Sequence, residues 1–196
     1  MKQLDFVERI DSYFSALDEA LAQVDRKELN EAMNAFIQAF ERDADIYVFG
    51  NGGSASTASH MMNDFNKGIS LELERKFRFH CLNDNIPVLT AIANDIGYEY
   101  VFSVQLEGKL KPNDLVVAIS GSGNSKNIVS GVEYARSIGC KVIGISGYDG
   151  GKLYQMSDYH MHAPSHNMQV VEDVHMIFNH MMMKIFSGEL KGKTAL

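Results

Sequence analysis

The chain has 196 residues, 45 % of them hydrophobic and 22 % charged, the balance of a globular protein with material for one sizeable core and too little for two. A formal net charge of −7 argues against a non-specific binder of nucleic acid or of an anionic membrane surface, so an anionic ligand would have to be held by a local site. No apolar run approaches the roughly 20 residues of a membrane span, no segment has the order of a signal peptide, and the two cysteines, Cys81 and Cys140, each sit in an apolar run that reads as a buried strand. A cytoplasmic protein with two core thiols is expected.

The first forty residues contain neither glycine nor proline. Val7, Ile10, Phe14, Leu17, Leu21 and Val24 recur at steps of three and four, which predicts a helix with one apolar seam. After a charged break at Asp25 to Lys27, Leu29, Met33, Phe36, Ile37 and Phe40 predict a second helix, giving a helical hairpin over about residues 1–43 of a single domain spanning 1–196. From Asp45 the texture changes to short apolar runs, IYVFG, FRFHCL, LVVAIS, KVIGIS and YHMHAP, with helical stretches between them. Runs that are apolar throughout suit strands covered on both faces, so the expected architecture is α/β, a doubly wound parallel sheet flanked by helices. A last helix is predicted from about Met168 to Phe186.

Two of the predicted strands end in polar, glycine-rich loops that each open a helix. One reads Ser120-Gly121-Ser122-Gly123-Asn124-Ser125, the other Gly50-Asn51-Gly52-Gly53-Ser54. Helix N-termini offer free N–H groups, glycines allow close approach to the backbone, and serine hydroxyls add donors, so the pair suits a phosphate monoester. The competing explanation, that Asn124 or Ser125 caps a helix and the glycines turn the chain, needs one such residue where three serines stand in six positions. Gly50-x-Gly52-x-x-Ala55 is a weak echo of the dinucleotide fingerprint, because no acidic residue follows at the end of the second predicted strand.

The helix after the first loop carries His60 and Asp64, four residues apart and therefore on one face. The last helix carries Glu172, His175 and His180, with positions 172 and 180 about 80° apart around its axis. Two imidazoles and two carboxylates from two helices could converge as a four-ligand metal site or as an acid–base pair; surface charges and a local hydrogen-bonded pair are the alternative. His160 and His162 alternate with Tyr159 and Met161 on a predicted strand and are read as structural or surface groups, and the methionines, Met181 to Met183 among them, as core and interface filler.

The two loops, the stretch AIANDIGYEYVF at 91–102 and GYDGG at 147–151, in this order and spacing, resemble the sugar isomerase (SIS) domain family and, within it, the phosphoheptose isomerases. The resemblance covers nearly the whole chain. It implies a five-stranded parallel sheet, a homotetramer with active sites between subunits, often a zinc ion, and isomerisation of the ketose sedoheptulose 7-phosphate to an aldose phosphate through an enediol. Carried over by position, it makes Asn51, Gly52, Gly53, Asn94, Asp95, Ser120, Gly121, Ser122 and Ser125 substrate contacts, with Ser54 added from the same loop and Glu172 facing the sugar. It makes His60, Asp64, Glu172 and His180 the metal ligands, Asp64 the base with Glu172 assisting, and His180 the group that exchanges protons with the sugar oxygens. This chain has Asp64 and Glu172 where the family usually has glutamate and glutamine; the shorter Asp64 would sit back from the substrate, and Glu172 adds a negative charge to the cluster. Related members that bind sugar phosphates as regulatory signals, or a replication initiator, supply the alternative of a binding protein that has kept the loops without the chemistry.

Overall fold

The computed structural model describes residues 4–191, so residues 1–3 and 192–196 of the domain expected over 1–196 lie outside the described residues. Helix α1 covers Val7–Gln23 and α2 covers Arg26–Glu41. They are separated only by Val24 and Asp25, whose carboxylate accepts the N–H groups of Lys27 at 2.7 Å and Glu28 at 3.2 Å and so starts the second helix. The chain then runs β1 (Asp45–Gly50), α3 (Gly53–Asn63), a π turn (Asp64–Ile69), a 3₁₀ turn (Ser70–Glu72), β2 (Arg78–Cys81), α4 (Ile86–Asp95), a 3₁₀ turn (Tyr98–Tyr100) and α5 (Ser103–Leu106). It closes with β3 (Leu115–Ser120), α6 (Lys126–Ile138), β4 (Lys141–Gly147), α7 (Gly151–Met156), β5 (Tyr159–Ala163) and α8 (Met168–Lys191). None of the described helices is long and apolar enough to cross a membrane.

The five strands form one parallel sheet in the order β2-β1-β3-β4-β5. Every residue of β1 and β3 is buried, which is why these segments read as continuous apolar runs rather than alternating ones. One face, with Val48, Val117, Ile145 and Met161, packs against Phe36 of α2, Met61 of α3 and Val174, Phe178 and Met182 of α8. The other, with Phe49, Val116, Ala118 and Val142, packs against Phe102 of α5, Ile128 and Val132 of α6 and Leu153 of α7. Helix α1 lies on α8, where the Tyr13 hydroxyl donates to Asp173 at 2.7 Å, while α2 lies along β5. At the N-terminal ends of the strands Asp45 takes both a two-pronged bond from Arg78, at 3.0 Å for each oxygen, and a contact from His80 at 2.8 Å. Burial raises its pKa, and the His80 hydrogen bond and Arg78 charge outweigh this, leaving it below the ordinary carboxylate value.

The winding reverses between β1 and β3. The chain leaves β1 through α3 onto one face and leaves β3 through α6 onto the other, so the C-terminal ends of these neighbouring strands border a crevice, the place where open α/β sheets take their ligands.

Candidate active site

Both glycine-rich loops meet at that crevice. It measures ≈ 180 Å³ and is lined by Asn51, Ser54, Ile119, Ser120, Gly121, Ser122, Ser125, Met168 and Glu172. In the serine loop, Ser120 Oγ accepts the Gly123 N–H at 3.1 Å and Ser122 Oγ accepts the Asn124 N–H at 3.3 Å. Each hydroxyl keeps its proton to give to a ligand. Ser125 stands at the N-cap of α6 but accepts no hydrogen bond from the helix, so capping does not account for it. Gly123 has φ +65°, and a Cβ there would fall 2.0 Å from the carbonyl oxygen of Gly150 in the GYDGG turn, which ties the two motifs together.

The first loop is held from three sides. The Asn83 side chain, just past β2, accepts the Gly50 N–H at 3.1 Å and donates to the Gly50 carbonyl at 2.8 Å. Asn51 pairs with Asn127 of α6, each amide donating to the other at 2.8 Å, and the Tyr98 hydroxyl donates to Asn51 Oδ1 at 3.0 Å. Gly53 opens α3, and a Cβ on it would lie 2.5 Å from the Glu172 carboxylate; glycine is what lets α8 bring that carboxylate to the loop. Among the described residues, Glu172 has no hydrogen bond or ion pair. Asn94 and Asp95 lie outside the crevice, exposed at the end of α4, where the Asn94 amide donates to Asp95 at 2.7 Å.

Further along, His60 from α3 and Asp64 from the π turn that continues it meet His180 from α8. His60 Nε2 lies 3.3 Å from Asp64 Oδ2 and 3.2 Å from His180 Nε2, and one ligand atom from each of the three falls within 4.8 Å of the others. Asp64 is buried, while both imidazoles are exposed. Its Oδ2 accepts a 2.7 Å bond from the fully buried Asn179 amide and its Oδ1 a 3.3 Å bond from Asn63. The trio can hold a metal ion on chemical grounds. Tetrahedral bonds of about 2.0–2.1 Å place ligand atoms about 3.3 Å apart, close to the two spacings observed. Glu172 does not join the three at this range; eight residues before His180, it stands about 12 Å up the helix axis, at the crevice.

His175, His160 and His162 make contacts within the fold. His175 is buried and its Nε2 donates to the Ser146 carbonyl, 2.9 Å away, since a carbonyl only accepts; burial pushes the ring's pKa down to about 4. On β5, His160 stacks on Tyr154 and His162 Nδ1 contacts Ser146 Oγ at 3.0 Å.

A protein-family model described as SIS domain matches residues 12–147. The chain belongs to the SIS domain family. It is 34 % identical over 180 residues to the phosphoheptose isomerase of Aliarcobacter butzleri, covering 90 % of this chain and 95 % of that one, and 35 % identical over 167 residues to that of Helicobacter pylori, covering 85 % and 86 %. The solved phosphoheptose isomerase structure from Neisseria gonorrhoeae is 27 % identical and superposes with a TM-score of 0.85 over 94 % of this chain and 100 % of its own. The five-stranded parallel sheet and flanking helices are those of this SIS fold.

Four side chains that shape the SIS site escape a reading of the sequence: Asn83, Tyr98, Asn127 and Asn179. An asparagine beside a strand end or at a helix start reads as turn or cap chemistry, and one inside a helix carries no signal that it is buried. The π turn that begins at Asp64 is equally silent, though such turns gather at functional sites.

Proposed function

We infer that the protein is a phosphoheptose isomerase, converting sedoheptulose 7-phosphate to the corresponding heptose 7-phosphate. The observation that carries this is the shared groundwork of two sites: α3 and α8 bring Gly53 and Glu172 to a serine-lined crevice and, two turns on, His60, Asp64 and His180 into one cluster. We place the phosphate on the Ser120, Ser122 and Ser125 hydroxyls with Asn51 and Ser54, and C1 and C2 of the sugar between the Glu172 carboxylate and the cluster.

Isomerisation breaks the C1–H bond of the ketose and makes an O2–H bond, giving an enediol; loss of the O1 proton and protonation of C2 then give the aldose. Of the two carboxylates assigned to base work, Glu172 is the one on the crevice wall, and Asp64 is occupied by Asn179, Asn63 and His60. Glu172 therefore takes the C1 proton and returns it to C2, Asp64 serves the cluster, and His180 exchanges protons with O1 and O2. Two imidazoles and a carboxylate at tetrahedral spacing suit zinc, which would supply Lewis-acid polarisation of the sugar oxygens when bound. We assign homotetrameric assembly on the exposed apolar residues of α1, and a cytoplasmic setting on the two unpaired thiols.

The test is turnover of sedoheptulose 7-phosphate by purified protein, with added zinc and after chelation. Aldose phosphate formation that falls on chelation and returns with zinc supports both assignments. Saturable binding with no product under any metal condition overturns the isomerase in favour of a sugar-phosphate-binding protein.

A further inference from the structure

The amide of Asn51 is oriented by a chain of hydrogen bonds that begins in a backbone group. Asn127 is 2 % exposed, and its Oδ1 accepts the N–H of Ile128 at 3.0 Å. A backbone N–H can only donate, so the oxygen of Asn127 is fixed on that side and its Nδ2 must face Asn51. This in turn sets Asn51: its Oδ1 accepts from Asn127 at 2.8 Å, and one of its two N–H groups donates back at 2.8 Å. With that oxygen defined, the Tyr98 hydroxyl at 3.0 Å can only be its donor. The Asn51 carbonyl is thus doubly engaged, and one N–H is left over.

We propose that Asn127 is a positioning residue for the sugar phosphate, acting through Asn51. It turns Asn51 so that the group this side chain can offer the crevice is an amide donor and not a carbonyl acceptor. A donor suits a phosphate or carbonyl oxygen of the ligand; a carbonyl in its place would repel either. Tyr98 completes the arrangement by occupying the second acceptor position, and it joins the turn after α4 to the loop after β1. The proposal rests on the reading that a sugar phosphate occupies the crevice.

Asn127→Asp keeps the shape and both acceptor bonds but cannot donate to Asn51, so the preference for one Asn51 orientation is lost. The experiment is a double-variant cycle read in dissociation constants for sedoheptulose 7-phosphate with the wild type, Asn51→Ala, Asn127→Asp and the pair. Each single change is expected to weaken binding about tenfold, and the pair no more than Asn51→Ala alone, because the second residue acts only through the first. In kinetics the same loss is expected in KM with kcat little changed. Tyr98→Phe, at an exposed side chain, carries the test if Asn127→Asp does not fold: a loss of about two- to fivefold is expected, absent in the Asn51→Ala background. Multiplying losses, wild-type binding by Asn127→Asp, or no binding by the wild type would each overturn the proposal. Binding without turnover would sink the isomerase reading and leave the cycle standing.

Discussion

Glu172 and Asp64 are both carboxylates on or beside the α3–α8 pair, and their surroundings divide the labour between them. Glu172 has a crevice in front of it and, among the described residues, no hydrogen-bonding partner, the condition of a base waiting for a proton. Glu172→Gln alone, which restores the family's usual glutamine without restoring its glutamate at position 64, is expected to lower kcat by about 10²–10⁴-fold with KM little changed, measured as steady-state isomerisation; a variant as fast as the wild type removes Glu172 from the chemistry. Asp64 is buried and takes the shortest of its bonds from Asn179, whose Oδ1 has no partner among the described residues. Turning that amide over would set carbonyl against carboxylate, so Asn179 has one sensible orientation and holds Asp64 toward the two imidazoles. Asn179→Leu, close in volume, is expected to weaken zinc binding about 10–100-fold in a metal titration; unchanged affinity would make the asparagine a packing residue only.

At the scale of elements, α8 does two jobs. Its buried side carries His175, a neutral imidazole bonded to Ser146, while its other positions carry Glu172 and His180. The folded pKa of His175, about 4, lies below its ordinary value near 6.5, so the unfolded chain takes up a proton in that window and the folded one does not. Stability from this residue is complete above pH 6.5 and is lost progressively as pH falls toward 4, by roughly 3 kcal/mol. Urea unfolding at a series of pH values should show that slope in the wild type and a shallower one in His175→Gln; parallel curves would contradict the assignment. Elements of this kind were legible in unequal degree. The run LVVAIS coincides with β3, and IYVFG and KVIGIS match β1 and β4 to within a residue at each end, because burial on both faces leaves few polar positions to hide a strand's bounds; YHMHAP matches the half-buried edge strand β5 as closely. The three short elements between Ile86 and Leu106 left no periodic trace. In the site, His60, Asp64 and His180 do converge, as their spacing on two helices allowed, but Glu172 stands by the loops; the 80° offset that put it on a similar side said nothing of the 12 Å along the axis.

Across the whole molecule, the apolar seam read along α1 divides in two. Its C-terminal half, Leu17, Leu21 and Val24, is packed, whereas Val7, Ile10 and Phe14 remain 61 %, 49 % and 58 % exposed. The proposed homotetramer would cover this strip with another copy. Ile10→Asp with Phe14→Asp should yield smaller particles in sedimentation velocity without loss of helix content; an unchanged sedimentation coefficient would place the contact elsewhere.

The long sequence separations in the crevice and the histidine cluster bear on how the chain is made. Asn51 and Asn127 are 76 residues apart, and His60 and His180 are 120 apart. A nascent chain that has just delivered β3 has both glycine-rich loops but neither Glu172 nor His180, since α8 emerges last. A ligand that reaches from the serine loop to the cluster therefore has its full grip only on a finished chain, and its mass-action stabilisation falls on completed molecules and not on those stalled or cut short.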